Sequence, residues 1–264
     1  MVIFILYINI IHPEVTALKT YRILITVILA ALVIPVLADA GTLLAEMDAL
    51  NKAGGYENQK KAIDLGLKAV AAEPENYEAN WKLARAYAYY THSLQANLVP
   101  GWEETCKTDA KKGMEYAEKA MKLEPDKIGG CYFFAFNAGM YSFGISIFGA
   151  ITEGLKNKTQ KNFEKVYAVD PDYEEGDVMI SLGRFWHQLP WPLKNMKEAL
   201  RYYREYQATP FYGKDPNTMV LIADLLADMG GKENKQEARQ ILDTAMKSCD
   251  PYYLQIAKEA MKKL

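Results

Sequence analysis

The stretch that decides the fold class is "SLGRFWHQLP", residues 181–190. It places the large apolar Leu182 beside the small Gly183, with the aromatic Trp186 three residues further on. Residues three and four apart share one face of an α-helix, so these side chains belong to one packing surface. A small residue there lets a second helix approach closely, while the aromatic ring fills the space beside it. The stretch therefore predicts a helix hairpin in which Gly183 and Trp186 are packing residues.

The same pattern recurs along the chain. Leu83-Ala84 with Tyr87 is a close copy, and Ala138-Gly139 and Ile222-Ala223 are looser ones. A proline follows three of the predicted second helices, at Pro74, Pro125 and Pro171. Proline ends a helix because it lacks an N–H donor and clashes with the preceding turn. This combination is typical of the tetratricopeptide repeat, although the prolines lie farther apart than the ~34 residues of a regular unit.

Signals for β-strands are scarce, since alternating β-branched runs between tight turns do not occur. The sequence therefore predicts an all-α fold of about four irregular tetratricopeptide-like hairpins, arranged as an α-solenoid. The final segment, "PYYLQIAKEAMKKL", has the Lys-rich polar face expected of a terminal capping helix.

The first forty residues have the order of a secretory signal: a positive start, an apolar centre and a small-x-small cleavage site. These parts are Lys19 with Arg22, the run 23–37, and Ala38-Asp39-Ala40. The run is shorter than the roughly 20 apolar residues of a membrane span. We expect cleavage after Ala40 and a single mature domain of residues 41–264; an uncleaved anchor is the alternative. The apolar residues 1–17 are interpreted as a start-site artefact.

Composition argues against several classes of function. The net charge is −2, and clusters of Lys are balanced by neighbouring acids, so no nucleic-acid surface is predicted. The sequence lacks the nucleophile elbow, the phosphate loop, the dinucleotide fingerprint and the H-E-x-x-H zinc motif. We therefore expect no enzymatic activity, no catalytic residues and no cofactor.

Cysteine and histidine give little support for a metal site. Beyond residue 40 the chain has Cys106, Cys131 and Cys249, with His92 and His187, and none of them forms a closely spaced ligand pair. An exported protein could form one disulfide between Cys106 and Cys131. Buried thiols that act as small apolar side chains are the alternative.

One segment is unusually aromatic: "CYFFAFNAGMYSFGISIFGA", residues 131–150. Aromatic residues on every face indicate a helix that is buried all round. A central core helix is one interpretation. The other is the wall of an apolar cavity, with glycines leaving room for a ligand and a few polar groups orienting it. The candidate ligand-binding residues are Phe134, Phe136, Asn137, Tyr141, Ser142, Phe148, Trp186, His187 and Trp191.

The chain resembles the T-component family of TRAP transporters over roughly residues 45–250. The matching elements are Asp170-Pro171-Asp172-Tyr173, Leu182-Gly183, Trp186, Leu189-Pro190 and the aromatic region from Tyr132 to Phe148. The resemblance departs from the family pattern at Gly176, which stands alone, and at Ile180, which replaces an Arg. No lipid-accepting Cys follows the predicted cleavage site.

This resemblance implies a periplasmic accessory protein that accompanies the solute-binding protein of a tripartite ATP-independent uptake system. We accordingly expect a non-enzymatic protein whose partner is that solute-binding protein, with a small apolar or carboxylate ligand as a further expectation. The alternative is a general exported scaffold for protein assembly, and self-association into a homo-oligomer stays open.

Overall fold

The computed structural model describes residues 39–264. The predicted signal segment lies outside the described residues except for its last two positions, and so does the predicted start-site artefact at residues 1–17. The helices are α1 (Ala40–Ala53), α2 (Tyr56–Ala72), α3 (Tyr77–Ala96), α4 (Trp102–Thr105), α5 (Lys111–Leu123), α6 (Gly129–Ile145), α7 (Ile147–Thr152), α8 (Leu155–Val169), α9 (Asp177–Gln188), α10 (Met196–Gln207), α11 (Pro216–Met229), α12 (Lys232–Ala245) and α13 (Pro251–Lys263). A π-helical turn, Cys106–Ala110, joins α4 to α5.

Several helices begin where the sequence supplies a capping side chain. The Oδ1 atoms of Asn76, Asn195 and Asp215 accept hydrogen bonds from backbone N–H groups in the first turns of α3, α10 and α11, at 2.9–3.1 Å. Such caps satisfy N–H groups that have no partner within the helix. Pro216 and Pro251 occupy the first helical positions of α11 and α13, where a missing N–H does no harm.

The helices pack as antiparallel pairs, and this confirms the predicted all-α, tetratricopeptide-like architecture. Within residues 40–264 there are five pairs rather than about four: α1 with α2, α3 with α5, α6 with α8, α9 with α10, and α11 with α12. The unexpected partner is α1, which lacks the Leu-Gly-aromatic pattern. Its Leu43, Leu44 and Met47 are nonetheless buried and contribute to a core cluster with α2 and α3.

Glycines at contacts within and between the pairs explain how closely the helices approach. A Cβ atom at Gly183 of α9 would overlap the ring of Tyr203 on α10. A Cβ at Gly113 of α5 would overlap the side chain of Asn137 on α6. A Cβ at Gly66 of α2 would lie 2.8 Å from Met47 and 2.9 Å from Leu83. The prediction that Gly183 is a close-contact position agrees with this geometry.

The aromatic segment is not one continuous helix. Ser146 has a φ of 75°, which ends α6, and its Oγ accepts a hydrogen bond from Gly149 N–H at 3.2 Å to start α7. Residues in α6 such as Tyr132 and Phe133 are fully buried between α3, α5 and α8. The interpretation as a central core helix therefore applies to α6. The residues of α7 form a separate short helix that does not continue α6.

The first helices of the pairs contact each other in order, from α3 through α6 and α9 to α11. The last helix, α13, packs on α11 and also contacts α3. His92 Nε2 on α3 lies 2.9 Å from Tyr253 Oη on α13, across 161 residues of sequence. These contacts form a closed circuit of α3, α6, α9, α11 and α13. Within the described residues, every helix is too short or too polar to span a membrane.

Replacing Gly183 with Ala should lower the free energy of unfolding, whereas Gly139→Ala should raise it. Both changes improve helix propensity by about 0.5–1 kcal/mol. At Gly183 the new methyl group collides with Tyr203, and overpacking of this kind costs roughly 1–3 kcal/mol. A Cβ at Gly139 meets no atom within 4 Å.

Urea unfolding of both variants measures this difference, and each variant serves as the matched control for the other. Equal stability changes at the two positions would contradict the close-contact role of Gly183.

Candidate functional site

An apolar cavity lies between α6, α7, α8 and α9 and has a volume of about 120 Å³. It exists because the α6–α8 connection contains the extra helix α7 and because Gly139 projects no side chain into the space. Its apolar lining includes Phe136, Phe143, Ile147, Ile151, Leu155, Phe163, Phe185 and Leu189. Its polar lining consists of Ser142, Lys156, Thr159, Ser181, Arg184 and Gln188. The cavity has the mostly apolar composition, with a few polar groups, that ligand pockets share.

Two of the predicted ligand-binding residues line this cavity: Phe136 and Ser142. Ser142 Oγ donates a hydrogen bond to Gly139 O at 2.6 Å, a local contact within α6 that keeps the hydroxyl close to the glycine. The predicted room beside the glycines is present at Gly139. It is absent at Gly144, where a Cβ would lie 2.6 Å from the backbone N of Lys107.

Three other predicted residues are engaged in packing on α6. Asn137 is fully buried, and its Nδ2 donates to Ala84 O at 2.9 Å and to Phe133 O at 2.7 Å. Phe134 is also buried, and neither residue lines the cavity. Tyr141 is buried as well, with its Oη 3.3 Å from Glu153 Oε1.

Trp186 and His187 lie on other faces of α9. The ring of Trp186 is half-buried, with Lys156 Nζ 5.5 Å from its centroid, and its Nε1 has no hydrogen-bond partner among the described residues. His187 is buried, and its Nε2 lies 2.9 Å from Asp228 Oδ2 on α11. Asp228 also accepts from Lys263 Nζ of α13 at 2.6 Å. His187 therefore belongs to the contacts that join α9, α11 and α13.

Phe148 and Trp191 point to solvent. Phe148 on α7 is 67% exposed, and Trp191 in the α9–α10 connection is 87% exposed. Each of these residues is close in sequence to a residue that lines the cavity: Phe148 follows Ile147, and Trp191 lies two residues after Leu189. They are surface aromatics beside the cavity rather than parts of its wall.

The sequence interpretation missed the two cations of the cavity, Lys156 on α8 and Arg184 on α9. Lys156 Nζ donates to the neutral Oε1 of Gln160 at 2.9 Å. Arg184 Nη1 lies 3.5 Å from Tyr253 Oη, and its Nε and Nη2 are buried without a hydrogen-bond partner among residues 39–264. A lone charged residue inside the apolar run "SLGRFW" is the sequence signal that could have identified Arg184.

Aromatic rings surround the Arg184 guanidinium. Its Cζ lies 5.3 Å from the ring centroid of Phe143, 6.0 Å from that of Tyr252 and 5.9 Å from that of Tyr253. Cation–π contacts of this kind contribute about 0.5–2 kcal/mol. They offset only part of the cost of burying a charge without a counterion.

Next to this charge lies a neutral histidine. Burial, followed by the charge of Arg184, lowers the pKa of His92 to about 4, from its ordinary value of 6.5. Rings from two other helices, Phe136 and Tyr253, pack at 5.7 and 6.2 Å from the His92 ring. Imidazole is therefore neutral here at pH 7, and it bonds Tyr253 without adding a second positive charge.

Two acidic groups lie near the start of α9. Tyr89 Oη of α3 donates to Glu174 Oε2 at 2.9 Å, and Tyr132 of α6 donates to Asp177. Burial raises the pKa of Asp177, although the hydrogen bonds from Tyr132 and Ser181 oppose that shift. These contacts connect α9 to the two preceding first helices and leave both carboxylates outside the cavity.

Cys106 and Cys131 are buried free thiols, and Cys249 is a half-buried one. In residues 39–264 no three His, Cys, Asp or Glu side chains converge in a way that would hold a metal ion. Within the described residues, the cavity and its two cations are therefore the candidate ligand site.

Acidification should destabilise the protein through His92. The unfolded state binds a proton near pH 6.5, while the folded state resists it until about pH 4. The stability contributed by neutral His92 is therefore complete above pH 6.5 and is lost as the pH falls toward 4. We expect a loss on the order of 1–2 kcal/mol between pH values of about 7.5 and 5 that is absent in His92→Gln.

Urea unfolding of the two proteins at both pH values tests this, because every other titratable group is common to both and cancels in the comparison. Parallel pH profiles would contradict the assignment to His92.

Comparisons with known proteins agree on the fold. Among the solved structures that match is a thermophilic TPR protein of Thermus thermophilus, with a TM-score of 0.55 and 16% sequence identity. The match covers 85% of this chain and 98% of that one. No curated protein matches the chain in sequence. The family described as Regulator of microtubule dynamics protein 1-3 matches residues 43–191, from the start of α1 to Trp191 and more than half of the chain. The chain therefore belongs to the family of regulators of microtubule dynamics proteins 1-3.

Proposed function

We propose that this chain is a non-enzymatic helical-repeat protein that binds a partner protein through the exposed aromatic residues of its insertions. The observation that carries the proposal is the exposure of Trp191, at 87%, and of Phe148, at 67%. Large apolar side chains in such positions mark interaction surfaces when they group together. Tryptophan in particular is enriched among the residues that dominate binding energy at interfaces.

The architecture supports this use. Stacked helix pairs form extended surfaces to which a partner can dock, and insertions within the pairs add local features to such a surface. Trp191 and Phe148 both lie in segments that interrupt the regular pairing, the α9–α10 connection and α7. Leu193, 39% exposed in the same connection as Trp191, extends the apolar area.

Two partners are specific candidates. The resemblance to TRAP T-components favours the solute-binding protein of a TRAP transporter, in the periplasm. The name of the matched family favours microtubules. The predicted export rests on residues 1–40, which lie almost entirely outside the described residues, and it stays a prediction together with the periplasmic location. A small ligand in the cavity is the second part of the proposal, supported by its apolar lining.

Photo-crosslinking in the cells that produce the protein tests the partner-binding proposal. A photoreactive phenylalanine analogue at position 191 or 148 should yield a covalent adduct with one discrete protein, which mass spectrometry then identifies. The matched control is position 169, where Val169 is 63% exposed at the end of α8, away from both insertions.

Purified candidate partners then separate the alternatives. Trp191→Ser should weaken binding of the crosslinked partner by about tenfold or more, as expected for a central aromatic residue. Val169→Ser should leave the affinity unchanged. Adducts that form equally at all three positions, or an affinity that does not respond to Trp191→Ser, would contradict the proposal.

A further inference from the structure

We propose that the cavity between α6, α7, α8 and α9 binds a small organic carboxylate, with its apolar body inside and its carboxylate held by Arg184 and Lys156. The inference rests on the proposed ligand-binding function and not on partner binding. It narrows the expected small apolar or carboxylate ligand to a carboxylate and adds the two residues that would select it.

The charge of the lining is one-sided. Among the described residues that line the cavity, Lys156 and Arg184 are the only charged ones, and both are positive. Neither cation forms an ion pair within the part of the chain that the structure describes: Lys156 bonds the amide of Gln160, and Arg184 the hydroxyl of Tyr253. A site with low-dielectric walls and charge of one sign concentrates ligands of the opposite sign.

The free atoms of Arg184 match a carboxylate. Nε and Nη2 are the two nitrogens without a partner, and their N–H bonds point in parallel from one edge of the guanidinium. This edge forms paired hydrogen bonds to both oxygens of a carboxylate. A buried guanidinium without a counterion is unfavourable, so a bound carboxylate would satisfy donors that the protein leaves unpaired. These two nitrogens have almost no surface open to the cavity in this conformation, so the guanidinium of Arg184, which lines the cavity, must turn for this edge to meet a ligand.

The size of the cavity limits the ligand. A volume of about 120 Å³ is close to that of a dry cavity of roughly 150 Å³ known to accept benzene. The apolar part of the ligand is accordingly a ring or chain of about six carbons. The open space at Gly139 lies along this part of the wall, and Phe136 and Phe143 supply aromatic surface beside it.

Calorimetric titration of the full chain tests the proposal with sodium hexanoate, benzoate, hexanol and inorganic phosphate as probes. We expect hexanoate and benzoate to bind at least about tenfold more tightly than hexanol, because only they engage the two cations. Inorganic phosphate, which lacks an apolar body, should bind more weakly than either carboxylate. Arg184→Gln should remove the preference for hexanoate over hexanol.

Two further variants keep the test valid if Arg184→Gln folds poorly. Lys156→Gln, on a partly exposed side chain, should reduce hexanoate affinity, whereas Lys158→Gln on the exposed face of the same helix should not. Gly139→Leu should fill the cavity and abolish binding of every apolar probe. Its melting temperature should stay close to that of the parent protein, because a side chain at this position meets open space.

The outcomes separate the inference from the wider proposal. Equal affinity for hexanoate and hexanol would overturn the carboxylate assignment and leave an apolar ligand site. Phosphate binding as tight as that of hexanoate would also overturn it. If the folded parent binds none of the probes, both the inference and the proposed ligand-binding function fail, while the partner-binding proposal is tested separately at Trp191.

Discussion

The structure depends on the close approach of neighbouring helices at positions that have no side chain. At Gly66, Gly113 and Gly183 the facing residue occupies the volume that a Cβ would need. Each contact brings large side chains of the neighbouring helix against the backbone, and these side chains fill the core. Because protein interiors are packed as densely as organic crystals, such contacts leave little freedom in how neighbouring helices are placed.

Where that close packing is interrupted, the molecule acquires its candidate site. The α6–α8 pair is separated at one end by α7, and Gly139 faces open space instead of a neighbouring helix. Glycine thus permits close helix contact at Gly183 and leaves space for a cavity at Gly139. The charge of Arg184 lies beside this cavity, where rings surround it and no acid of residues 39–264 forms an ion pair with it, while the nearby His92 stays neutral.

The sequence predicted those parts of the fold that are encoded locally. Leu-Gly-aromatic spacing and the prolines predicted the helix pairs, because both act within a few residues of the chain. The helix α1 was missed as a repeat member because its packing residues, such as Met47, carry no such pattern. The aromatic segment was interpreted as one helix, and the positive φ of Ser146 changes the chain direction in a way that periodicity does not reveal.

The site was predictable only in part for the same reason. Phe136 and Ser142 lie on the same helix as Gly139, and local reasoning found them. Lys156 and Arg184 come from different helices, and both line the cavity only because of tertiary packing. Asn137 was a reasonable polar candidate, but its amide supports the contact between α6 and α3. Distinguishing such a packing amide from a ligand-binding one requires the position of the neighbouring helix.

The contact between α13 and α3 limits how the number of helix pairs can change. In an open repeat array each unit contacts only its neighbours, so units can be added, lost or unfolded one at a time. Here the last helix contacts the first helix of the second pair, and the bond between His92 and Tyr253 spans 161 residues. Inserting or deleting a helix pair between α3 and α13 would separate these two residues and break the circuit. Unfolding of the segment from α3 to α13 should therefore involve the whole circuit as a unit, unlike the gradual fraying of an open solenoid.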